Sequence, residues 1–350
     1  MSKSERRLNA RVRNRGRWWT DLPDRIWYGR HPASLVLAPF SWVFRAVTAL
    51  RKRAYASGLL TIYQASVPVI VVGNLTVGGS GKTPLVIWLA GYLKSLGLNP
   101  GVVARGYGGQ AANWPQQVRP DSDPATVGDE AIVIARRTRC PVAVDPSRAA
   151  AVAALVEHGK CDVIISDDGL QHYGLARDIE IAVVDGVRRL GNGRLLPAGP
   201  LREPPQRLRE VDFIVTNGIA GRGEFAMKYV PVNPINLVNR RQSIDFSDLQ
   251  STPVHAVCGI GNPERFFQML KNKGLRIVPH AFPDHHRYKA EDLDFGDDGP
   301  ILMTEKDAVK CERFGLARCW SVPVTAELPE VFAQRLEALL MRGDDGQEAA

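Results

Sequence analysis

Residues Val69 to Thr83 read VIVVGNLTVGGSGKT: an apolar, β-branched run feeds a glycine-rich turn ending in Gly81-Lys82-Thr83, and Pro84 then opens a helix. A strand, a tight turn of small residues and a helix in that order make a phosphate-binding loop. Gly78, Gly79, Ser80 and Gly81 let backbone N–H groups approach a polyphosphate, and the helix N-terminus adds a favourable field. Lys82 reaches the β and γ phosphates, and the Thr83 hydroxyl binds magnesium. The generic spacing asks for glycine where this chain has Thr76. Thr76, Val77, Gly78, Gly79, Ser80, Gly81, Lys82 and Thr83 are the expected nucleotide contacts.

Downstream, short β-rich runs alternate with helical segments. The runs are Pro68 to Val72, Pro100 to Val103, Pro141 to Val144, Asp162 to Ser166, Ile179 to Val184 and Asp212 to Thr216. Helical candidates lie between them at Pro84 to Leu96, Asp129 to Thr138, Ser147 to His158 and Pro204 to Glu210. That alternation predicts an α/β fold, a P-loop NTPase-like and mostly parallel sheet with helices on both faces. The fourth run continues into Asp167-Asp168-Gly169. Two carboxylates at a strand end are how P-loop enzymes hold magnesium opposite the loop threonine, so Asp167 and Asp168 are metal candidates.

From Lys228 to Ile244 helical periodicity is weak, and a second, smaller α/β unit follows with strands at Val254 to Cys258, Arg276 to Pro279, Ile301 to Thr304 and Trp320 to Val324. Its helices are expected near Pro263 to Lys273, Asp307 to Arg313 and Pro329 to Met341. The expected division is a basic aromatic leader over 1–32, an interfacial helix over 33–53, the P-loop domain over 54–227, an extended connector over 228–244 and the second domain over 245–350. Within the latter, Cys258 to Pro263 resembles a dinucleotide turn but lacks its third glycine, which favours a strand-to-helix turn capped by Asn262.

The formal charge of +8 is concentrated at the N-terminus: up to Arg53 there are thirteen Lys and Arg against three acids, while the rest of the chain carries 32 basic and 34 acidic residues. The globular body therefore has no nucleic-acid footprint. Between Ala33 and Leu50 the chain is at its most apolar, but Pro39 and Arg45 interrupt it, which argues against a bilayer span. Ser34, Ser41, Arg45, Thr48 and Lys52 form a polar stripe at helical spacing, with Leu35, Leu37, Phe40, Trp42, Val43, Phe44 and Val47 on the other faces. Trp18, Trp19, Trp27 and Tyr28 interleave with arginines upstream. The pattern predicts a helix lying on an anionic membrane surface. The five cysteines are far apart, which excludes a disulfide framework and points to a reducing cytosol.

Several motifs recur in order: GNLTVGGSGKTP, ARGYGG (Ala104 to Gly109), VGDEA (Val127 to Ala131), DDGLQH (Asp167 to His172), RDIEI (Arg177 to Ile181), DGVRRLGNGRLLPAGPLREP (Asp185 to Pro204), PDHH (Pro283 to His286) and TEKDAVK (Thr304 to Lys310). With them the chain resembles the tetraacyldisaccharide 4′-kinase family from about Gly73 to Lys310, and that family's own loop has threonine at the place of Thr76. The resemblance implies transfer of the γ-phosphoryl of ATP, with magnesium, to the 4′-hydroxyl of a tetraacylated glucosamine disaccharide 1-phosphate. The setting it implies is peripheral, on the cytosolic face of a bacterial inner membrane, with no stable protein partner evident. It further implies that Asp129 acts as base with His285 beside it, that Lys82 is catalytic, and that Gln171 and Glu203 lie near the nucleotide and magnesium. Arg105, Arg188 and Arg202 are candidate phosphate contacts, and Lys306 and Asp307 have no assignable role. Asp284, His285 and His286 as a transition-metal cluster lack further ligands. The rival reading is a membrane-associated nucleotide-hydrolysing switch, although Thr304-Glu305-Lys306-Asp307 departs from the guanine-reading spacing.

Overall fold

The computed structural model describes residues 22–29 and 31–347. Trp18, Trp19 and the arginines up to Arg17 lie outside them. Eight strands come first: β1 (Val69–Gly73), β2 (Pro100–Ala104), β3 (Gln116–Val118), β4 (Val142–Val144), β5 (Val163–Asp167), β6 (Ile179–Asp185), β7 (Phe213–Asn217) and β8 (Phe225–Pro231). Then follow β9 (Ile235–Asn236), β10 (Val254–Cys258), β11 (Ile277–Ala281), β12 (Ile301–Thr304), β13 (Cys319–Val322) and β14 (Val324–Glu327). The main helices are α1 (Ala38–Ala56), α2 (Lys82–Ser95), α3 (Asp129–Thr138), α4 (Arg148–Gly159), α5 (Pro263–Asn272), α6 (Glu305–Cys311) and α7 (Glu330–Gln347).

A nine-stranded sheet runs in the order β14-β8-β7-β6-β1-β5-β2-β4-β3, and a five-stranded sheet in the order β11-β10-β12-β13-β9. The large sheet is parallel except for its two edges, where β3 runs antiparallel to β4 and β14 antiparallel to β8. β1 sits in its middle, between β5 and β6, and is buried along its whole length. Alternate residues serve opposite layers. Ile70 and Val72 face α2, α3 and α7, while Val69 and Val71 face α4 and Phe44 of α1. That is why the strands read as unbroken apolar runs rather than alternating ones.

The six expected strands of the first unit are present with edges shifted by about a residue. The C-terminal end differs. β14 pairs with β8 of the large sheet, so the segment from Phe225 to Pro231 is an edge strand where the connector was expected to begin. Helix α7, expected in the second unit, buries Phe332 and Leu336 in the core of the first. Phe332 meets Phe213 and Phe225 edge-on at 5.1 and 5.3 Å and Trp88 at 5.6 Å. Helical spacing marks the face of a helix that is buried, not the sheet that buries it.

Helix α1 lies on the protein in an orientation the stripe alone does not reveal. Ser41 is buried, its hydroxyl donating to the Leu195 carbonyl at 2.8 Å and accepting from Ala198 N–H at 3.1 Å. Lys52 pairs with Glu210 at 2.5 Å and lies over the Tyr173 ring. Phe44 packs against the core. The polar stripe therefore faces inward, with the exception of Arg45, which is exposed. Leu35, Phe40, Trp42, Val43, Val47 and Leu50 are each more than half exposed, from 61% at Val47 to 71% at Trp42. A small hydroxyl at position 41 lets the helix approach the loop closely, and the apolar side is left to the outside. No helix among the described residues is long and apolar enough to cross a membrane.

Phe332→Ala should destabilise the P-loop domain by about 3–5 kcal/mol, the usual cost of emptying a fully buried aromatic site. Chemical denaturation followed by tryptophan fluorescence checks this. An unchanged midpoint would mean that α7 is not part of that core.

Candidate active site

The phosphate loop leaves β1 at Gly73 and enters α2 at Lys82. Gly78 and Gly81 hold φ of +103° and +98°, a region side chains rarely adopt, and a Cβ at Gly81 would stand 1.5 Å from the Tyr229 hydroxyl. Asn74, fully buried, braces the turn from within: its Nδ2 reaches Thr76 Oγ1 and the Gly78 carbonyl, and its Oδ1 accepts from Lys82 at 3.2 Å. Thr76 is itself buried and bridges to Leu201, while Val77 N–H donates to the Pro200 carbonyl at 2.8 Å. The loop is thus anchored to the segment running from Asp185 to Pro204.

Opposite it, β5 ends in Asp167 and Asp168. Lys82 Nζ lies 3.3 Å from Asp168 Oδ1, and Arg202 contacts both oxygens of that carboxylate at 3.0 Å. Burial alone would raise Asp168, but Lys82 and Arg202 outweigh it and hold the carboxyl at about 2. Asp167 goes the other way. Burial and the nearby Glu130 charge push it up to about 7, and its Oδ1 is a buried oxygen without a partner. An oxygen so placed fits a divalent cation, which would supply the missing charge. Asp167 and Asp168 would hold it, with Thr83 in the first turn of α2. Among the described residues no three His, Cys, Asp or Glu converge on a preformed metal site.

Glu203 lies beside Gln171. Its Oε1 accepts from Gln171 at 2.8 Å, and its Oε2 is engaged by the Tyr173 hydroxyl and by Arg207 at 3.4 Å. With both oxygens occupied, it orients Gln171, whose Nε2 also reaches the Asn74 carbonyl at 3.1 Å. Arg188 pairs with Asp24 at 2.8 Å and stacks on Tyr28, tying the helix over 22–28 to the body, and also donates to the Gly261 carbonyl at 3.4 Å beside the phosphate loop. Arg105 is exposed. Arg148 was not anticipated from the sequence: buried behind the carboxylates, it donates to the Asp167 carbonyl at 3.1 Å and fixes that turn.

The second domain closes over the loop. α6 lies along α3, with Arg136 on Glu312 at 2.6 Å, Arg137 on Glu305 at 2.9 Å, Lys306 on Glu130 and Lys310 near Asp129 at 3.5 Å. Gly261 approaches the loop closely enough that a Cβ there would touch the Gly79 backbone nitrogen at 3.5 Å. His285, itself at a φ of +57°, sets its Nδ1 3.2 Å from Asp129 Oδ2 and packs on Tyr107. Burial would raise Asp129, yet the His285 hydrogen bond and the charges of Lys306 and Lys310 bring it down to about 2. The same bond raises His285, against the effect of burial. Asp307 is fully buried, accepting from Gly259 N–H at 3.0 Å and Thr304 Oγ1 at 2.6 Å and pairing with Lys310 at 3.1 Å. It is not presented at the surface to a nucleobase.

The structure thus brings Lys82, Asp167, Asp168, Gln171, Arg202, Asp129 and His285 together in one cleft between the domains. Asn74, Glu130, Lys306 and Lys310 join them; each lies within a quoted motif, but only the fold shows that they converge.

The family model "Tetraacyldisaccharide-1-P 4'-kinase" matches residues 33–341. A tetraacyldisaccharide 4'-kinase of Nitrosococcus oceani is 52% identical over 324 residues, covering 93% of this chain and 96% of the relative. One from Alkalilimnicola ehrlichii is 48% identical over 326 residues, covering 92% and 98%. The solved structure of LpxK from Aquifex aeolicus in complex with ATP superposes with a TM-score of 0.74 at 30% identity, covering 89% of this chain and 99% of that one.

Since the Asp129 bond raises His285 above its ordinary 6.5, the ion pair stabilises the closed arrangement fully below that value and is lost as pH rises through the folded value. Asp129→Asn should therefore lower the His285 midpoint, leaving the Asp284 charge to oppose burial. Histidine NMR titration measures it. An unmoved midpoint would show that the two side chains do not meet in solution.

Proposed function

Because the chain belongs to the tetraacyldisaccharide-1-P 4'-kinase family, a group of phosphotransferases acting on an alcohol, we propose that it moves the terminal phosphoryl of magnesium-bound ATP to the 4′-hydroxyl of a tetraacylated disaccharide 1-phosphate. The observation that carries this reading is the Asp129–His285 pair, assembled from both domains beside the Lys82–Asp168 pair. One pair handles phosphate and the other a proton, which together are what phosphoryl transfer to a hydroxyl requires.

Lys82 leaves Asp168 for the phosphates, and the loop amides held by Asn74 surround them. Asp167, Asp168 and Thr83 would hold the magnesium that accompanies the nucleotide, which would supply charge neutralisation at the phosphates. Asp129 stays ionised across the working pH range and accepts the hydroxyl proton as the acceptor oxygen attacks, while His285 Nδ1 orients the carboxylate and shares the proton. A nucleotide-hydrolysing switch explains neither this pair nor the buried Asp307.

The acceptor's acyl chains keep it in a bilayer, and the exposed apolar side of α1 supports docking there. Leu35, Phe40, Trp42, Val43, Val47 and Leu50 would enter the interface, with Arg45, Arg51 and Arg53 exposed among them. Lys52 and Phe44 are taken up by the protein. We place the enzyme peripherally on the cytosolic face of the inner membrane, where ATP is available.

Labelled γ-phosphate of ATP should appear in the disaccharide lipid, and Lys82→Ala and Thr83→Ala should each abolish most of that transfer without unfolding the protein. Hydrolysis indifferent to the lipid would support the switch instead. For docking, replacing Trp42 and Val43 by serine should weaken binding to anionic vesicles at any ionic strength. Replacing Arg45, Arg51 and Arg53 by glutamine should weaken it mainly at low salt. Wild-type sedimentation of both variants would remove α1 from the docking surface.

A further inference from the structure

Lys306 occupies the first turn of α6, where a cation meets the positive end of the helix and helix electrostatics disfavour it. Its side chain is only 24% exposed, and it crosses the domain boundary to pair with Glu130 at the start of α3. Asp129, Asp284 and His285 lie near enough to exchange charge effects with it. Tyr229, which touches the loop at Gly81, feels its charge on the other side. Glu130 in turn is held ionised against burial by Lys306 and by Lys82 together. One carboxylate therefore stands between two lysines, one from each domain, with the proton-accepting Asp129 as its chain neighbour.

We infer that Lys306 is a catalytic phosphate ligand, delivered by the second domain to the γ-phosphoryl group and resting on Glu130 when that group is absent. An anionic phosphoryl between Lys82 and Lys306 replaces the carboxylate in the same electrostatic niche. As the acceptor oxygen forms its bond to phosphorus and the β,γ-bridging oxygen departs with ADP, the hydroxyl proton goes to the Asp129–His285 pair. Lys306 stays protonated throughout, offsetting charge on the equatorial oxygens.

The inference rests on the kinase reading, but its main test needs no acceptor. Binding of magnesium-ADP and of a magnesium-bound β,γ-methylene ATP analogue is measured by calorimetry for wild type, Lys306→Met and Lys306→Arg. In Lys306→Met, affinity for the ATP analogue should fall roughly ten- to hundredfold, the scale of a lost charged hydrogen bond, with ADP affinity within about twofold of wild type. Lys306→Arg should recover part of the loss. Turnover of Lys306→Met should fall by at least about 10²-fold. The double variant Glu130→Gln/Lys306→Met, compared with Glu130→Gln alone, removes the orphaned carboxylate and so separates phosphate contact from a structural ion pair. Continued loss of ATP-over-ADP preference in the double variant supports the inference. Recovery of that preference, or an equal loss for both nucleotides in Lys306→Met, overturns it. If wild type shows the ATP preference but labels no disaccharide, the acceptor assignment fails while the lysine assignment stands.

Discussion

The structure depends on the seam where α6 of the second domain lies along α3 of the first. Four ion pairs span it, and each joins a residue of one domain to a residue of the other. Arg136 and Arg137, at the C-terminal end of α3, anchor it where opposite charge is easily satisfied. The N-terminal end of α3 is different. There Asp129 and Glu130 are buried or half-buried, and burial is offset at Asp129 by groups of the second domain and at Glu130 by Lys306 together with Lys82 of the first. Separating the domains would take His285 from Asp129 and Lys306 from Glu130, so the Asp129–His285 contact exists only while the seam is closed.

Closure also explains the division of labour between charges. Along one wall, Lys82 and Arg202 neutralise Asp168, while at Asp167 burial and the Glu130 charge outweigh Lys82 and Arg148 and push it towards protonation. Along the other, His285, Lys306 and Lys310 neutralise Asp129 and Glu130. The cleft is thus nearly balanced in charge yet has its opposite charges held apart by position, with cations resting on carboxylates. A nucleotide with its metal changes partners within this set rather than bringing two bare charges into an apolar site, which lowers the cost of desolvation.

Helix α1 extends the same logic to the outside. Its polar atoms are spent on the body of the protein, through Ser41 and Lys52, so the side presented outward is apolar. The loop that receives Ser41 is continuous with the one that braces the phosphate turn at Pro200 and supplies Arg202 to Asp168. Helix α1 and the phosphate loop therefore rest on one segment, from Leu195 to Arg202.

By itself the sequence determined the local elements whose causes are local. The central strands are legible because burial on both faces demands continuous apolar runs. The phosphate loop is legible because small residues between a strand and a helix have few other uses. Asp129 and His285 could be named only through family motifs, since a carboxylate in the first helical turn and a loop histidine are ordinary surface features until something faces them. The tertiary structure alone decided what faces what. It sent α7 back to the first core, turned the polar stripe of α1 inward, occupied Glu203 with Gln171 and Tyr173, and set Lys306 against Glu130. Each of these is a pairing between residues distant in the chain. Periodicity records that a side chain is buried or charged, whereas the identity of its partner is fixed only when the sheets and helices assemble.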